Sequence, residues 1–394
     1  MTEENKSIGK FPNLRFPGFE GDWEEKKLGE VADIGRGKSK HRPRDAEFLF
    51  GGKYPFIQTG DVRKADLYLT DFTQTYSEAG LLQSKLWDED TLCITIAANI
   101  AETSILKIKA CFPDSIIGLL PKENKTIVLF VKYLFDKFKI EIQNLSQGAA
   151  QDNLNQDKLS KIEFAFPNIE EQKKISSFIF SIDSRIQTQK KIIEQLETLM
   201  KATREKVFSQ KLRFKDEYGN YFSDWKTIKL DEICDIKKGE QLNKEDLTDT
   251  GNYPCLNGGM SFSGYTDKFN SDKNTITISE GGNSCGFVSF MKSKFWLGGH
   301  CYKIITKRDI STKFLFHLLK FYEKEIMNLR VGSGLPNIQQ KDLKNLQLIF
   351  SNDIEEQTKI ANFLSSIQEK IETEKQILEK LELQKKFLLA NLFV

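Results

Sequence analysis

The chain has 394 residues, of which 39% are hydrophobic and 29% are charged, a composition typical of a folded protein with hydrophobic cores. Its 58 basic side chains nearly balance 56 acidic ones, so any basic surface for nucleic acid must be local. The six cysteines form no CxxC pair, which argues against a zinc or thioredoxin-type site, and no apolar run reaches the roughly 18–20 residues of a membrane span. The polar N-terminus lacks the pattern of a signal peptide, so we predict a cytoplasmic protein without a membrane partner.

Periodicity divides the chain into five segments. They are an N-terminal segment (1–20), a first mixed domain (21–167), a long helix (168–210), a second mixed domain (211–352) and a long C-terminal helix (353–394). Within the mixed domains, short β-type runs alternate with Gly, Asn and Asp turns. One further helix is predicted in each, at about 128–145 and about 311–329. The N-terminal segment is expected to pack near the end of the C-terminal helix.

The second half of the chain repeats the first. Asp22-Trp23 returns as Asp224-Trp225, Tyr54-Pro55 as Tyr253-Pro254, and Glu170-Glu171-Gln172 as Glu355-Glu356-Gln357. The offset between the copies falls from about 200 to about 185 residues, which predicts an insertion of about 15 residues within 40–90 of the first copy. One repeat of this length is a duplicated domain and not a solenoid unit.

Both long helices carry the same heptad pattern. Apolar side chains recur in alternating steps of three and four, and the polar exceptions are Gln189, Thr203, Glu374 and Lys385. We predict an α+β fold with two pseudo-twofold-related α+β domains separated by two long helices that form an antiparallel coiled coil, with the two termini close together. The alternative is that each helix packs only on its own globular domain.

Three short patterns are similar to parts of catalytic motifs, but none is complete. Gly37-Lys38-Ser39 is similar to the end of a phosphate-binding loop, but Ala32 stands where that motif requires its first glycine. Pro113-Asp114 with Glu123 fits a loose nuclease spacing that the second copy does not repeat. His317 lies on a predicted helix, where a structural role is expected. The sequence therefore predicts no catalytic residue, metal site or cofactor site in this chain.

Polar residues in and after the basic segment 36–44 are candidates for contacts with DNA phosphates or base edges. In the first copy the candidates are Arg36, Lys38, Lys40, His41, Arg42, Arg44, Gln58, Thr59, Asp61, Arg63, Lys64, Asn99 and Gln147. In the second copy they are Lys237, Lys238, Gln241, Asn243, Asn257, Tyr265, Asn283 and Ser333. A merely solvated charged loop is the alternative for the basic segment, and the loops that contain Gln147 and Ser333 could simply redirect the chain.

One repeated set of residues resembles a known family. The set comprises Trp23, Leu28-Gly29-Glu30-Val31, Ile34, Gly37, Gly148, Asn153-Leu154, Leu159, Phe166-Pro167, Glu171-Gln172 and Ile175, with a second copy downstream. It resembles the specificity subunits of type I restriction–modification enzymes, and the resemblance covers nearly the whole chain. One departure is Ser351, which stands where the first copy has Pro167.

The resemblance implies a non-catalytic subunit whose two domains are target-recognition domains. Each would read one half of a split, asymmetric double-stranded DNA target, and the helices would fix the gap between the halves. Two methyltransferase subunits, and restriction subunits with motor and nuclease activity, would be the protein partners. S-adenosylmethionine, ATP and Mg²⁺ would then bind to those partners. The alternatives are a stand-alone DNA nuclease or methylase and a coiled-coil assembly protein that does not bind DNA.

Overall fold

The structure is a computed structural model that describes residues 11–97, 99–145, 154–332, 334 and 336–394. The chain forms two compact units. Unit 1 contains the chain up to Thr188 together with Leu378–Val394, and unit 2 contains Gln189–Ile377.

Unit 1 is a mixed structure of short strands and helices. Its elements are β1 (Glu24–Lys27), α1 (Leu28–Val31), β2 (Ala32–Arg36), β3 (Phe50–Phe56), α2 (Thr59–Lys64), β4 (Tyr68–Leu69), β5 (Gln74–Tyr76), α3 (Glu78–Leu82), β6 (Leu86–Trp87), β7 (Leu92–Thr95), β8 (Thr103–Leu106), β9 (Ala110–Cys111), β10 (Ile116–Pro121), α4 (Val128–Lys137), α5 (Lys139–Asn144), α6 (Gln156–Lys161) and β11 (Glu163–Phe166). The long helix α7 (Ile169–Phe208) begins in unit 1 and continues into unit 2.

Unit 2 has the same element order with fewer elements. They are β12 (Lys226–Lys229), α8 (Leu230–Ile233), β13 (Cys234–Lys238), β14 (Tyr253–Leu256), β15 (Gly264–Thr266), β16 (Thr275–Ser279), β17 (Val288–Met291), β18 (Trp296–Leu297), β19 (Cys301–Thr306), α9 (Thr312–Phe321), α10 (Glu323–Asn328), α11 (Gln340–Lys344) and β20 (Gln347–Phe350). The second long helix, α12 (Ile354–Asn391), begins here and ends in unit 1.

The sheets of the two units share one topology. Among the described residues, the main sheet of unit 1 has the order β2-β10-β7-β8-β4, and that of unit 2 has the order β13-β19-β16-β17. In the smaller sheets, β3 pairs antiparallel with β5 and parallel with β9, as β14 pairs with β15 and β18. The predicted duplication of an α+β domain is therefore confirmed.

The predicted insertion corresponds to extra elements of unit 1. Between the matched positions Tyr54 and Thr91, unit 1 contains α2, β4, β5, α3 and β6, whereas unit 2 contains only β15 between Tyr253 and Thr275 in the described chain. The additional strand β4 pairs with β8 and so extends the main sheet of unit 1.

The two medium-length helices are broken where the sequence predicts continuous ones. Phe138 interrupts the first, between α4 and α5, and Tyr322 interrupts the second, between α9 and α10. At each break the side chain reaches a neighbouring strand. The Phe138 ring packs on Phe164, and the Tyr322 hydroxyl accepts a hydrogen bond from the backbone nitrogen of Ile349. Hydrophobic periodicity does not reveal such a break, because both halves keep an apolar face.

The repeated Glu-Glu-Gln motif ties the start of each long helix to its own domain. At the start of α7, the Asn168 side chain accepts a hydrogen bond from the backbone nitrogen of Glu171. Gln172 donates to the carbonyl of Pro167 and accepts from the Thr126 hydroxyl, and is itself buried. These bonds satisfy polar groups at a helix end that would otherwise be buried without partners.

The second copy of this motif uses matched contacts. Asp353 accepts hydrogen bonds from the backbone nitrogens of Glu355 and Glu356, and Gln357 donates to the carbonyl of Ser351. The departure from Pro167 to Ser351 adds two bonds, because the Ser351 hydroxyl donates to the Glu356 carboxylate at 2.6 Å and accepts from the backbone nitrogen of Asp353 at 3.3 Å. The change thus alters the cap without removing it.

Within unit 1, the first part of α7 packs antiparallel to the last part of α12. Ile175 and Ile179 share a hydrophobic core with Leu388 and Leu392. The end of α12 lies beside the start of α7, because Leu14 donates a backbone bond to Asn391 while the neighbouring Arg15 pairs with Glu171. Leu14 and Arg15 therefore contact both helix ends.

Within unit 2, the remaining parts of the two helices also pair antiparallel. Val207 near the end of α7 shares a core with Ile360 near the start of α12. Further along, the Gln189 amide donates to the backbone carbonyl of Glu374 at 3.1 Å. The predicted antiparallel coiled coil is confirmed, and the polar exceptions Gln189 and Glu374 are partners in its seam.

His317 is buried in unit 2, where only 1% of its surface is exposed. Burial, together with the positive charges of Arg204 and Lys313, lowers its pKa to about 3. An unfolded histidine titrates near 6.5, so the unfolded state binds more protons between these values, and the stability that neutral His317 contributes is lost as pH falls from about 6.5 towards 3.

We therefore expect the free energy of unfolding to fall more steeply with acidification in the parent than in His317→Gln. The difference should be roughly 1 kcal/mol per pH unit between pH 6 and 4. Urea unfolding of both proteins at a series of pH values measures it, and because carboxylates titrate equally in both, only the difference is informative. Parallel pH profiles would contradict the assignment.

Candidate nucleic-acid interface

The basic segment 36–44 of unit 1 is anchored to the turn before β10. The backbone nitrogens of Gly37 and Lys38 donate to the carbonyls of Ile116 and Phe112. A Cβ atom at position 37 would lie 2.2 Å from the carbonyl oxygen of Pro113, so only glycine permits this approach. The start of the segment is therefore tied to β10 and the turn before it, while its five basic side chains are exposed.

The three arginines of this segment have different partners. Arg42 donates from Nη1 to the carbonyls of Ser39 and His41, so its side chain folds back on its own loop. Arg36 donates to the backbone carbonyl of Asp114, and Arg44 forms an ion pair with the Asp114 carboxylate at 2.7 Å. Arg44 is thus the arginine held by another side chain.

The other side chains of the segment differ in exposure. Lys38 and Lys40 are exposed and suit phosphates, whereas Ser39 is buried, its hydroxyl 3.4 Å from that of Tyr76. The His41 ring packs edge-on against Phe48, and its backbone nitrogen donates to the Gln83 side chain. A buried Ser39 fits the sequence-based rejection of a phosphate-binding loop.

A cleft of about 660 Å³ opens beside this segment. Arg44 lines it, as do Gln58, Gln74 and the stacked rings of Phe56 and Tyr76, whose centroids are 4.0 Å apart. Gln58 donates to Gln74 at 2.6 Å across the cleft. The amide and guanidinium groups of this cleft are suited to hydrogen bonding with base edges, and the acidic residues Asp45 and Glu47 also line it.

The remaining candidates of the first copy surround α2. Gln58 precedes the helix and Thr59 begins it, while Arg63 and Lys64 are exposed near its end. Arg63 lies 3.4 Å from the Asn99 side-chain oxygen. Of these residues, Gln58 and Thr59 also line the cleft.

Asp61 differs from the sequence-based interpretation. Its carboxylate accepts a hydrogen bond from the backbone nitrogen of Gln58 at 2.9 Å, and the residue is buried. It therefore caps α2, and a DNA contact is not consistent with this position.

In unit 2 the candidates are fewer and more often neutral. Lys237 and Lys238 end β13, and Lys238 forms an ion pair with Glu280 at 2.7 Å. Asn257 accepts a hydrogen bond from the backbone nitrogen of His300. Gln241 and Asn243 are exposed in the loop after β13, Tyr265 lies in β15, and Asn283 is exposed before β17. The surface of unit 2 therefore differs chemically from that of unit 1.

Two candidates, Gln147 and Ser333, lie outside the described residues. Asp114 and Gln74 contact the candidates Arg44 and Gln58, but neither is among the residues predicted from the sequence. Asp114 is 70 positions from Arg44, and the pairing of β2 with β10 brings their neighbourhoods together. Gln74 lies in the inserted part of the first copy, so the repeat gives no second sequence with which to align it.

Neither a cluster of metal ligands nor a membrane-spanning helix occurs among the described residues. Among them, no group of three or more His, Cys, Asp or Glu side chains is placed to hold a metal ion. No described helix is long and apolar enough to cross a membrane. All six cysteines are free and buried, and burial raises the pKa of the Cys301 thiol to about 11.

Comparison with known proteins gives one consistent family. A family model described as Type I restriction modification DNA specificity domain matches residues 20–198 and 222–383. A putative type I specificity subunit of Mycoplasma genitalium is 38% identical over 158 residues, which is 40% of this chain and 41% of the relative. A similar Mycoplasma pneumoniae protein is matched over 43% of its length, so the matches span less than half of these two relatives.

Longer matches have lower identity. The Type I restriction enzyme MjaVIII specificity subunit of Methanocaldococcus jannaschii is 26% identical over 93% of this chain and 90% of its own length. A crystal structure of the type I restriction–modification S subunit from M. genitalium has a TM-score of 0.70 at 20% identity and covers 98% of this chain and 99% of its own. At this identity the structural likeness establishes the fold.

Proposed function

This chain belongs to the family of type I restriction modification DNA specificity domains, and we propose that it is the DNA-recognition subunit of a type I restriction–modification complex. Unit 1 and unit 2 each read one half of a bipartite, asymmetric DNA target. The chain itself is non-catalytic and determines which sequence its partners modify.

One observation carries this proposal. The two units share their sheet topology but present different polar groups at the matched segment, where unit 1 has three arginines and unit 2 has Lys238, Gln241 and Asn243. Phosphate contacts position a protein on DNA, whereas sequence is read by side chains that reach base edges. Two similar scaffolds with different reading groups would recognise two different half-sites.

We further propose that α7 and α12 set the length of the unspecified gap between the half-sites. Helix α7 is continuous over 40 residues and α12 over 38 residues. The hydrogen bond between Gln189 and Glu374 fixes the register of the pair. A helix rises by about 1.5 Å per residue, so these helices are roughly 60 Å long. A flexible linker would not define a gap, because its end-to-end distance fluctuates.

The remaining roles belong to partners in this proposal. Two methyltransferase subunits dock on the chain and bind S-adenosylmethionine, and restriction subunits use ATP and Mg²⁺. A solved structure that concerns complex assembly of the type I restriction–modification system is similar in fold over 96% of this chain, with a TM-score of 0.54 at 14% identity. The cytoplasm, where DNA and these partners occur, is the expected location.

Co-expression with the methyltransferase subunits tests the function. We expect modified adenines within one bipartite motif whose two halves differ, as mapped by sequencing the DNA of the host. The purified chain alone, given Mg²⁺, ATP and S-adenosylmethionine, should neither cut nor methylate DNA. Turnover that Asp114→Ala abolishes would instead favour the stand-alone enzyme, and a partner-bound complex without salt-dependent DNA binding would favour the assembly protein.

A further inference from the structure

We propose that Arg44, held by Asp114, reads a guanine in the half-site recognised by unit 1. The inference deepens the proposed function and rests on it, because it assigns one base and one residue within the interface. It also separates Arg44 from the other cations of segment 36–44.

The contact between Arg44 and Asp114 leaves a reading edge available. A guanidinium group has five N–H donors in a planar fork. Among the described residues, the Arg44 Nη2 group bonds the Asp114 carboxylate at 2.7 Å, and the arginine side chain remains 48% exposed. The major-groove edge of guanine offers two acceptors, N7 and O6, whose spacing matches such a fork.

The other two arginines of the segment are used differently. Arg42 donates to two carbonyl oxygens of its own loop, and Arg36 donates to the backbone carbonyl of Asp114. Both therefore stabilise the shape of the interface. Arg44 is oriented by a carboxylate, and it lines the cleft together with the turn residues Pro113 and Ser115.

The backbone that carries Asp114 is itself held in position. Asp114 follows Pro113, whose carbonyl lies so close to Gly37 that no Cβ atom fits at position 37. The backbone carbonyl of Asp114 accepts the hydrogen bond from Arg36. A carboxylate close to DNA is unfavourable unless its charge is compensated. Its pairing with Arg44 compensates that charge and removes rotational freedom from the guanidinium before DNA binds.

Unit 2 lacks this arrangement at the matched place. A Cβ at Gly239 would meet the carbonyls of Leu297 and Gly298, just as one at Gly37 would meet those of Phe112 and Pro113. Gly299 therefore corresponds to Asp114, and its neighbour is the amide oxygen of Gln241. The guanine contact should consequently be confined to the half-site of unit 1.

The test compares methylation by complexes that carry the parent chain, Arg44→Ala or Arg44→Gln. We expect one G·C pair in one half-site to become degenerate in Arg44→Ala, with discrimination at that pair reduced about 5- to 150-fold. Arg44→Gln should shift the preference at the same pair towards A·T, because glutamine matches the edge of adenine. Asp114→Asn should relax the same pair by a smaller factor.

The other half-site and the gap serve as internal controls, because they should remain unchanged in every variant. The inference is overturned if the Arg44 variants keep the parent motif, or if a folded variant complex loses methylation evenly at all sequences, which would indicate a phosphate contact. Relaxation of a pair other than G·C would overturn it as well. The proposed function fails separately, if the parent complex modifies no bipartite motif.

Discussion

Removal of seven residues from each long helix is expected to shorten the unspecified gap in the DNA target by about three base pairs. Seven helical residues span roughly 10 Å, and successive base pairs are about 3.4 Å apart. Seven residues are also close to two helical turns, so the apolar seam stays on the same side of each helix. The two half-site sequences themselves should not change.

The polar pair in the seam determines which residues to remove. Deletion of 190–196 from α7 and 367–373 from α12 retains Gln189 and Glu374 and leaves them opposite each other. The ion pair between Glu197 and Lys375 is not retained, because Glu197 moves by about 10 Å along the helix pair relative to Lys375. Mapping of modified adenines in host DNA gives the new gap directly.

The rate at the shortened target is expected to be lower than that of the parent. Three base pairs turn the duplex by about 100°, since one turn takes about 10.5 base pairs, and the DNA must absorb this rotation. Deletion from α7 alone is the matched control, because it misaligns the seam and should reduce stability and methylation. A double deletion that methylates a motif with the parent gap would eliminate the spacer role.

The architecture could be predicted because its signals are repeated or local. The heptads and the duplicated Glu-Glu-Gln motif occur twice in one chain, and each copy supports the other. The interface could be predicted only as a region. The Arg44–Asp114 pair joins residues that are 70 positions apart in the sequence. Asp61 is a residue type that usually lies on the surface, but its carboxylate caps the helix α2. Neither contact has a signature in the surrounding sequence.

The off-pattern residues in the heptads are a signal whose meaning depends on the structure. Gln189 and Glu374 occupy equivalent seam positions in the two helices, and antiparallel pairing places them together. Lys385 occupies another seam position, but its partner Asp183 does not belong to the seam pattern. The first pair could have been anticipated from the antiparallel register, whereas the second could not.

Asp183 is expected to be the most sensitive position in the anchoring of α12 to unit 1. Its carboxylate accepts a hydrogen bond from the Tyr133 hydroxyl at 2.8 Å and forms an ion pair with Lys385 at 2.7 Å. Tyr133 is fully buried and Asp183 is nearly so. Burial and the nearby Asp183 charge raise the pKa of Tyr133, so it remains a neutral donor.

We predict that Asp183→Leu lowers the free energy of unfolding by about 2–4 kcal/mol, because it leaves the Tyr133 hydroxyl and the Lys385 ammonium without their main partner. This loss of stability is smaller than the largest losses caused by breaking fully buried ion pairs, because the Lys385 side chain is 24% exposed. Chemical denaturation measures the change, and hydrogen exchange should locate it in α4 and the last turns of α12.

The second copy of the chain supplies the matched control. In unit 2, Phe208 packs on Trp225 as Phe393 packs on Trp23 in unit 1, and this equivalence aligns Met200 with Lys385. Replacing all three polar groups at once, as Tyr133→Phe, Asp183→Leu and Lys385→Met, leaves no buried group unpaired. Its stability should lie within about 1 kcal/mol of the parent, since apolar replacements of buried ion pairs are often neutral.

The comparison of the single and triple variants separates two physical effects. If the network stabilises unit 1 mainly because breaking it leaves groups unpaired, only the single variant will be strongly destabilised. Equal destabilisation of both variants would mean that the ion pair itself stabilises the folded state. No effect of Asp183→Leu would mean that the Lys385 ammonium group reaches water with little loss of stability. The first outcome would also mean that the network specifies the register of the helix pair. A misaligned α12 would bury the Asp183 carboxylate without Lys385, and this unpaired charge would destabilise every wrong register.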